Sequence, residues 1–257
     1  MSVRLPFLLD FFLPDHLPFS HYVSPMSAVA LIELIAVTKS YQSPDGAPPV
    51  VVLRNASLVV RRGESLAIIG PSGSGKSTIL NLLGGLDRAE SGSVQFEGKD
   101  LTVMTETDLA RFRNRSIGFI FQQHHLLPHA TVMENVLVPA LADGKPVSNA
   151  VAERGRTLLQ RVGLGPRMGY FPGQLSGGER QRAAVVRALI NEPALVLADE
   201  PTGALDQTSG AEVAQLLVDL NRESGVTLIV VTHNPELAAR MGRRIELKSG
   251  HLVEVLP

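Results

Sequence analysis

The 257-residue sequence contains no cysteine. That excludes a disulfide framework and any cysteine-ligated metal, and it agrees with a reducing compartment. There is no excess of either charge: 24 Lys and Arg stand against 25 Asp and Glu, net −1, so no overall basic field recruits nucleic acid or an acidic membrane. No apolar run approaches the roughly 20 residues that a spanning helix needs. A role at a membrane would therefore require another chain to cross it. The nearest candidate, RLPFLLDFFLPDHLPF, is interrupted by Pro6, Asp10 and Pro14 and has no small-residue cleavage site behind it. It reads as a poorly ordered extension over residues 1–27, or as sequence upstream of a start at Met26. Hydrophobic residues, at 44%, suffice for the core of one large α/β domain.

Against this background GPSGSGKST, Gly70 to Thr78, stands out: three glycines and three serines in nine residues, with one long cation among them. Glycine at that density needs a tight turn or a close approach of the backbone to something bulky. The flanks, GESLAIIG before and TILNLLGGL after, read as a buried strand and a helix. Gly70, Gly75, Lys76 and Ser77 then fit the phosphate loop, G-x-x-x-x-G-K-[ST]. Backbone N–H groups of Gly73 to Thr78 would face an anion at the helix N-terminus, Lys76 would reach the β- and γ-phosphates of ATP, and Ser77 would hold Mg²⁺. The alternative is a glycine-rich turn that binds nothing.

The remaining pattern is β-rich at first, with strands near Ile32 to Thr38, Val50 to Val60 and Ser65 to Ile69, a strand and hairpin in SGSVQFEGKD, and another strand in RSIGFIFQ. Helical periodicity dominates from about Val132 to Ile190. Beyond it come strand ALVLAD, a helix over about Ser209 to Arg222, strand VTLIVVT, a short helix PELAARM and a closing pair turning at Ser249-Gly250. Such alternation implies a parallel sheet with right-handed crossovers. No internal repeat is visible, so one nucleotide module is expected.

Four more pieces carry chemistry. In LSGGERQR, Ser176, Gly177 and Gly178 offer a hydroxyl and bare N–H groups at a helix start, either a second anion site or a plain serine cap with flexible glycines. In ALVLADEPTGALD, Asp199 ends a buried strand and suits Mg²⁺, Glu200 can orient the attacking water, and Asp206 would lie near the same site; the bland reading is two solvated acids. His233 ends another buried strand at the same sheet edge, where ligands of open parallel sheets sit, unless it is simply packed or capped. Gln122 follows SIGFIF and could place its amide oxygen on the metal or the water. Its neighbours His124 and His125 point apart and lack a carboxylate or thiol partner, so they are not read as a metal cluster. Tyr41 could stack on adenine or merely be exposed. Leu126, Leu127, Val132 and Met133 in QHHLLPHATVM are either a satellite core or an apolar groove for a partner's short helix.

Taken together, GPSGSGKST, the glutamine of FIFQ, LSGGERQR, LVLADEPTGALD and the histidine of VVTHN resemble, in kind and order, the nucleotide-binding subunits of ABC transporters. The resemblance covers nearly everything from about Ile32 onward. It implies a P-loop NTPase of ABC type: a parallel-sheet core with an antiparallel β subdomain and a helical subdomain near 123–190, within a nucleotide-binding domain over 28–257. It places Gly70, Pro71, Ser72, Gly73, Ser74, Gly75, Lys76 and Thr78 on phosphate, Ser77, Gln122 and Asp199 around Mg²⁺, Glu200 as catalytic carboxylate, His233 as γ-phosphate switch and Tyr41 against adenine.

IGFIFQQHHLLPHATVMENV, LLGGLD and LNRESGVTLIVVTH narrow the resemblance to the ATPase subunits of lipoprotein-releasing Lol systems and their macrolide-exporter and cell-division kin. Asn234 stands where the family often has aspartate and Ala204 where others have asparagine or serine; neither removes a catalytic group. The narrower resemblance implies two membrane-spanning partner subunits, an indirect lipoprotein substrate and a peripheral position at the cytoplasmic face of the inner membrane. The helical segment separating the phosphate loop from LSGGE argues against both folding onto one nucleotide. Two chains head to tail, an ATP-dependent homodimer, would bring them together. Repair-type relatives would carry long heptad insertions and translation-type relatives two modules, and this chain has neither. A non-hydrolysing module would not need Glu200 and His233, and LSGGE has no role in a kinase.

Overall fold

The computed structural model describes residues 30–42, 47–142 and 144–255. The extension over 1–27, the start at Met26 and part of the loop after Tyr41 lie outside them. Strands β1 (Ala30–Tyr41), β2 (Val50–Arg61), β4 (Ser91–Phe96) and β5 (Lys99–Asp100) form an antiparallel sheet in the order β2-β1-β4-β5. A six-stranded sheet has the order β10-β9-β3-β8-β7-β6, built from β3 (Ser65–Ile69), β6 (Ile117–Ile120), β7 (Leu195–Asp199), β8 (Thr227–Val231), β9 (Arg243–Lys248) and β10 (His251–Glu254). Its neighbours are parallel except β10, which turns back on β9 through Ser249 and Gly250, both at positive φ (51° and 84°) as a two-residue hairpin with right-handed strand twist requires.

β3, β7 and β8 are almost continuously apolar because helices or the second sheet cover both faces. One core cluster packs the antiparallel sheet and α1 (Lys76–Leu83) against one face, through residues such as Leu34, Leu58, Ile79, Leu197 and Ile229. A second packs α6 (Gln207–Ser224) and α7 (Pro235–Ala239) on the other face through Val213, Leu217 and Leu237. A third joins α3 (Val132–Leu137), α4 (Asn149–Arg161) and α5 (Gly177–Leu189). Helix α5 belongs to both lobes: Val185 and Ala188 face the sheet, while Ala183, Ala184 and Val186 face the helical cluster.

Two expectations change. An additional helix, α2 (Glu106–Ser116), follows the second hairpin, capped by Thr105, which accepts from the Asp108 N–H. Only Leu109 of it is buried, so it has no apolar stripe to announce it. The two readings of 123–133, satellite core and groove, also divide the segment between them. Leu126, at 9% exposure, and Val132 belong to the helical cluster with Met133 packed against them, whereas Leu127 is 50% exposed. Leu126 sits in that apolar cluster, where a charge is costly to bury, so Leu126→Asp should lower stability by roughly 3 kcal/mol or more and Leu127→Asp should not. Denaturant melts of the two variants check this.

Candidate active site

The cleft lies beyond the carboxyl ends of β3, β7 and β8, the edge at which open parallel sheets present ligands. It measures about 780 Å³, and its lining joins the loop between β3 and α1 to Tyr41, Gln122, Asp199, Glu200 and His233. The phosphate loop is one run of chain, and sheet topology brings the other groups to it from distant positions.

The loop's glycines have reasons partly internal to the protein. A Cβ on Gly75, at φ 103°, would stand 2.1 Å from Val52 Cγ1, and one on Gly70, at φ 155°, 2.8 Å from the Leu247 carbonyl oxygen. Gly73, at φ 75°, meets nothing within 4 Å, so there the left-handed backbone alone calls for glycine. Lys76 is buried, and its Nζ donates to the carbonyls of Gly70 and Pro71 at 2.9 Å each, which holds the cation across the loop mouth. The Tyr41 hydroxyl donates to Asp87 at 2.9 Å and lies 3.4 Å from the Thr78 hydroxyl. Tyr41 is the last residue of β1, not a loop residue, and Lys39 stands 5.1 Å from its ring centre.

Beyond β7, Glu200 takes a left-handed backbone (φ 44°) while its N–H bonds the Val231 carbonyl of β8 at 2.9 Å. This turns the side chain back under the loop after β8. Its carboxylate accepts from the Thr232 hydroxyl (3.1 Å) and the His233 N–H (3.1 and 3.2 Å), and lies 2.8 Å from His233 Nδ1. Thr232 N–H in turn bonds the Ile68 carbonyl of β3, so the three strand ends are tied together. Asp199 sits beside this cluster. Burial raises its carboxyl above the ordinary value, opposed by a hydrogen bond with Ser77 and assisted by the neighbouring Glu200 charge, with Lys76 pulling back down.

Ser176, Gly177, Gly178 and Asp206 are not part of that lining. Ser176 caps α5, accepting from the Glu179 N–H while Glu179 reaches back to the Ser176 N–H, a reciprocal capping box. Gly178 is required by packing: a Cβ there would stand 2.8 Å from Ser209 Oγ on α6. Gly178 is therefore not there for flexibility alone. Asp206 caps α6 by accepting from the Ser209 N–H and lines a separate small recess, which corrects the expectation that it would sit at this chain's own cleft. The sequence reading missed Val52, whose side chain closes over Gly75 from a strand with no motif to mark it. A second recess of about 280 Å³ lies at the opposite end of the sheet, where Arg154 is paired with Glu192 and Arg62 with Glu97.

These features define a P-loop nucleotide site, and comparison with known proteins places it. The family model described as ABC transporter matches residues 53–203, and the chain belongs to that family. It is 50% identical over 222 residues to the lipoprotein-releasing system ATP-binding protein LolD of Shewanella oneidensis, covering 86% of this chain and 95% of the relative. The LolD of Syntrophus aciditrophicus is 54% identical over 202 residues, covering 79% and 90%. Among solved structures, the ATP-binding cassette MJ0796, in a dimeric post-hydrolysis state bound to ADP and Pi, superposes with a TM-score of 0.78 at 39% identity, covering 86% of this chain and 96% of that one.

The Asp199 shift has a sign that can be tested. For an acid raised on folding, stability is full below the unfolded value, near 3.8, and is lost as pH rises through the higher folded one. Asp199→Asn should therefore melt higher than wild type at pH 7, with the difference closing as pH falls below about 4, while ATP turnover falls. Calorimetry across pH checks the first part and a phosphate-release assay the second.

Proposed function

We propose that this chain is the ATP-hydrolysing subunit of a lipoprotein-releasing ABC transporter, acting as a peripheral subunit at the cytoplasmic face of the inner membrane. The observation that carries hydrolysis is the meeting of Lys76, Asp199, Glu200 and His233 at one sheet edge around the phosphate loop. The cargo rests on about half identity, over most of both chains, to relatives named for lipoprotein release. Among the described residues no helix is long and apolar enough to cross a membrane, so the crossing falls to two partner subunits.

In this reading the amides of Gly73 to Thr78 and the Lys76 ammonium hold the β- and γ-phosphates, replacing the carbonyl contacts that Lys76 makes to its own loop. Tyr41, on the cleft wall, stacks on the adenine. Ser77, Asp199 and the amide oxygen of Gln122 offer an all-oxygen donor set, which fits Mg²⁺ rather than a softer metal. When bound, the ion neutralises charge on the transferring phosphate. Glu200 orients and polarises the water, and His233, in contact with it, couples that carboxylate to the γ-phosphate.

The α5 N-terminus presents Ser176 and the Gly177 and Gly178 amides outside their own cleft, and serves the γ-phosphate of a second copy related by two-fold symmetry. Asp206, outside the cleft as well, belongs to the same junction. ATP is then part of the dimer interface, and hydrolysis opens it. Closure moves the helical lobe, and with it the exposed Leu127, against the membrane subunits.

Replacing the water-positioning group costs about 10² to 10⁴ in rate while sparing binding. Glu200→Gln should therefore bind MgATP, turn over at about that deficit, and sediment as a dimer with ATP and a monomer without it; near wild-type turnover, or a monomer at saturating ATP, would sink the assignment. Lys76→Ala should bind poorly, and Ser176→Arg should abolish dimer and activity together. The cargo is tested in proteoliposomes with the natural membrane partners. Wild type should release lipoprotein on ATP addition, and Leu127→Asp should lose that release while keeping its fold and nucleotide affinity. Export of another cargo, with no lipoprotein released, would leave the transporter and remove the lipoprotein.

A further inference from the structure

The segment around Gln122 has no regular structure, yet it is fastened to one helix at Phe121, His124 and His125. Gln181 of α5, 1% exposed, donates from Nε2 to the Phe121 carbonyl at 3.1 Å. Arg180 donates from Nε to His124 Nε2 at 2.9 Å, and its other arm holds the Leu175 carbonyl at 2.6 Å. Arg187, seven residues and two turns further on and so on the same helix face, spreads its guanidinium over two successive carbonyls: His124 at 2.7 Å and His125 at 2.6 Å. Partial burial pushes the Arg187 guanidinium below its ordinary value.

The segment bears local costs in keeping that arrangement. His125 is held at φ 47°, a left-handed backbone for a non-glycine residue, which aims its carbonyl at the fork. Since His124 Nε2 accepts from Arg180, the neutral ring carries its proton on Nδ1, which is buried without a hydrogen-bond partner. Strain and an unsatisfied donor together, next to a residue that lines the cleft, are the signature of a position held by function rather than by packing.

We propose that Arg187, assisted by Arg180 and Gln181, is a positioning residue that locks the Gln122 segment to α5, so that Gln122 and the Ser176-capped end of the same helix move as one body. The inference rests on the dimer described above, in which that end of α5 serves the opposite nucleotide. Gln122 attends to the site of its own chain, while the helix that holds it completes the partner's site. The clamp therefore links the two ATP sites mechanically within each chain. It touches neither nucleotide nor water; it acts by fixing where Gln122 stands when the other site closes. The planar guanidinium presents its two arms at a fixed spacing that holds both carbonyls at once, a geometry that a lysine's flexible ammonium does not preset.

Steady-state hydrolysis by the full chain, with nucleotide affinity measured separately, tests it. Arg187→Met should cut kcat by about 10- to 100-fold with MgATP affinity within about threefold of wild type, and should bring the Hill coefficient for ATP to one. Arg187→Lys should recover part of the rate. Should Arg187→Met fail to fold, Arg180→Gln decides, because it removes only the His124 contact and the Leu175 staple; it should lower kcat about threefold or more and weaken cooperativity. Wild-type kcat and Hill coefficient in a folded variant would overturn the clamp, as would a loss of MgATP affinity equal to the loss of kcat, which would make Arg187 part of the nucleotide pocket. Should Glu200→Gln also turn over normally, the hydrolytic assignment fails, and that result is separate from the clamp.

Discussion

Parallel pairing of β3, β7 and β8 is the constraint on which the site depends. The register sets Ile68 beside Val231 and Asp199 beside Val231, so three strands end level with one another. Each supplies a different group at its end: the phosphate loop from β3, Asp199 and Glu200 from β7, and His233 from β8. The strands are apolar on both faces, and a slip of one residue would invert every buried side chain. The core thus fixes the register, and the register fixes the chemistry. Bonds from Glu200 N–H to Val231 and from Thr232 N–H to Ile68 finish the alignment where the ladder itself runs out.

Much of this was legible. Continuous apolar runs marked β3, β7 and β8, and the motifs at their ends could be placed on one edge from topology alone. The helix beginning at LSGGE and the hairpin at Ser249-Gly250 were visible from glycine and serine chemistry. What escaped had physical reasons. Helix α2 buries one residue, so its signal lay in the Thr105 cap and not in periodicity. Leu126 and Leu127 are adjacent and identical in chemistry, yet one joins the helical core and its neighbour faces out; in a loop neither period applies, and only tertiary packing decides. Asp206 was drawn to the cleft by its nearness in sequence to Glu200, but the turn between them carries it to the start of α6.

The glycines of GPSGSGKST and LSGGERQR also divide more finely than their motifs suggest. Gly75, Gly70 and Gly178 are excluded from having side chains by Val52, Leu247 and Ser209, all protein neighbours. A bare backbone at these points lets an adjoining strand or helix come close. Binding loop and hydrophobic core are therefore not separable parts. Changes in Val52, far from any motif, would be felt at the phosphate loop.

Glu200, finally, is a carboxylate whose oxygens already receive Thr232 and His233 hydrogen bonds. In this arrangement its lone pairs are committed to the chain, and a water molecule would have to compete with groups fixed by two strands. Any displacement of the loop after β8 would therefore change how many acceptor sites of those oxygens stay open, so the contacts that place the carboxylate also meter its availability.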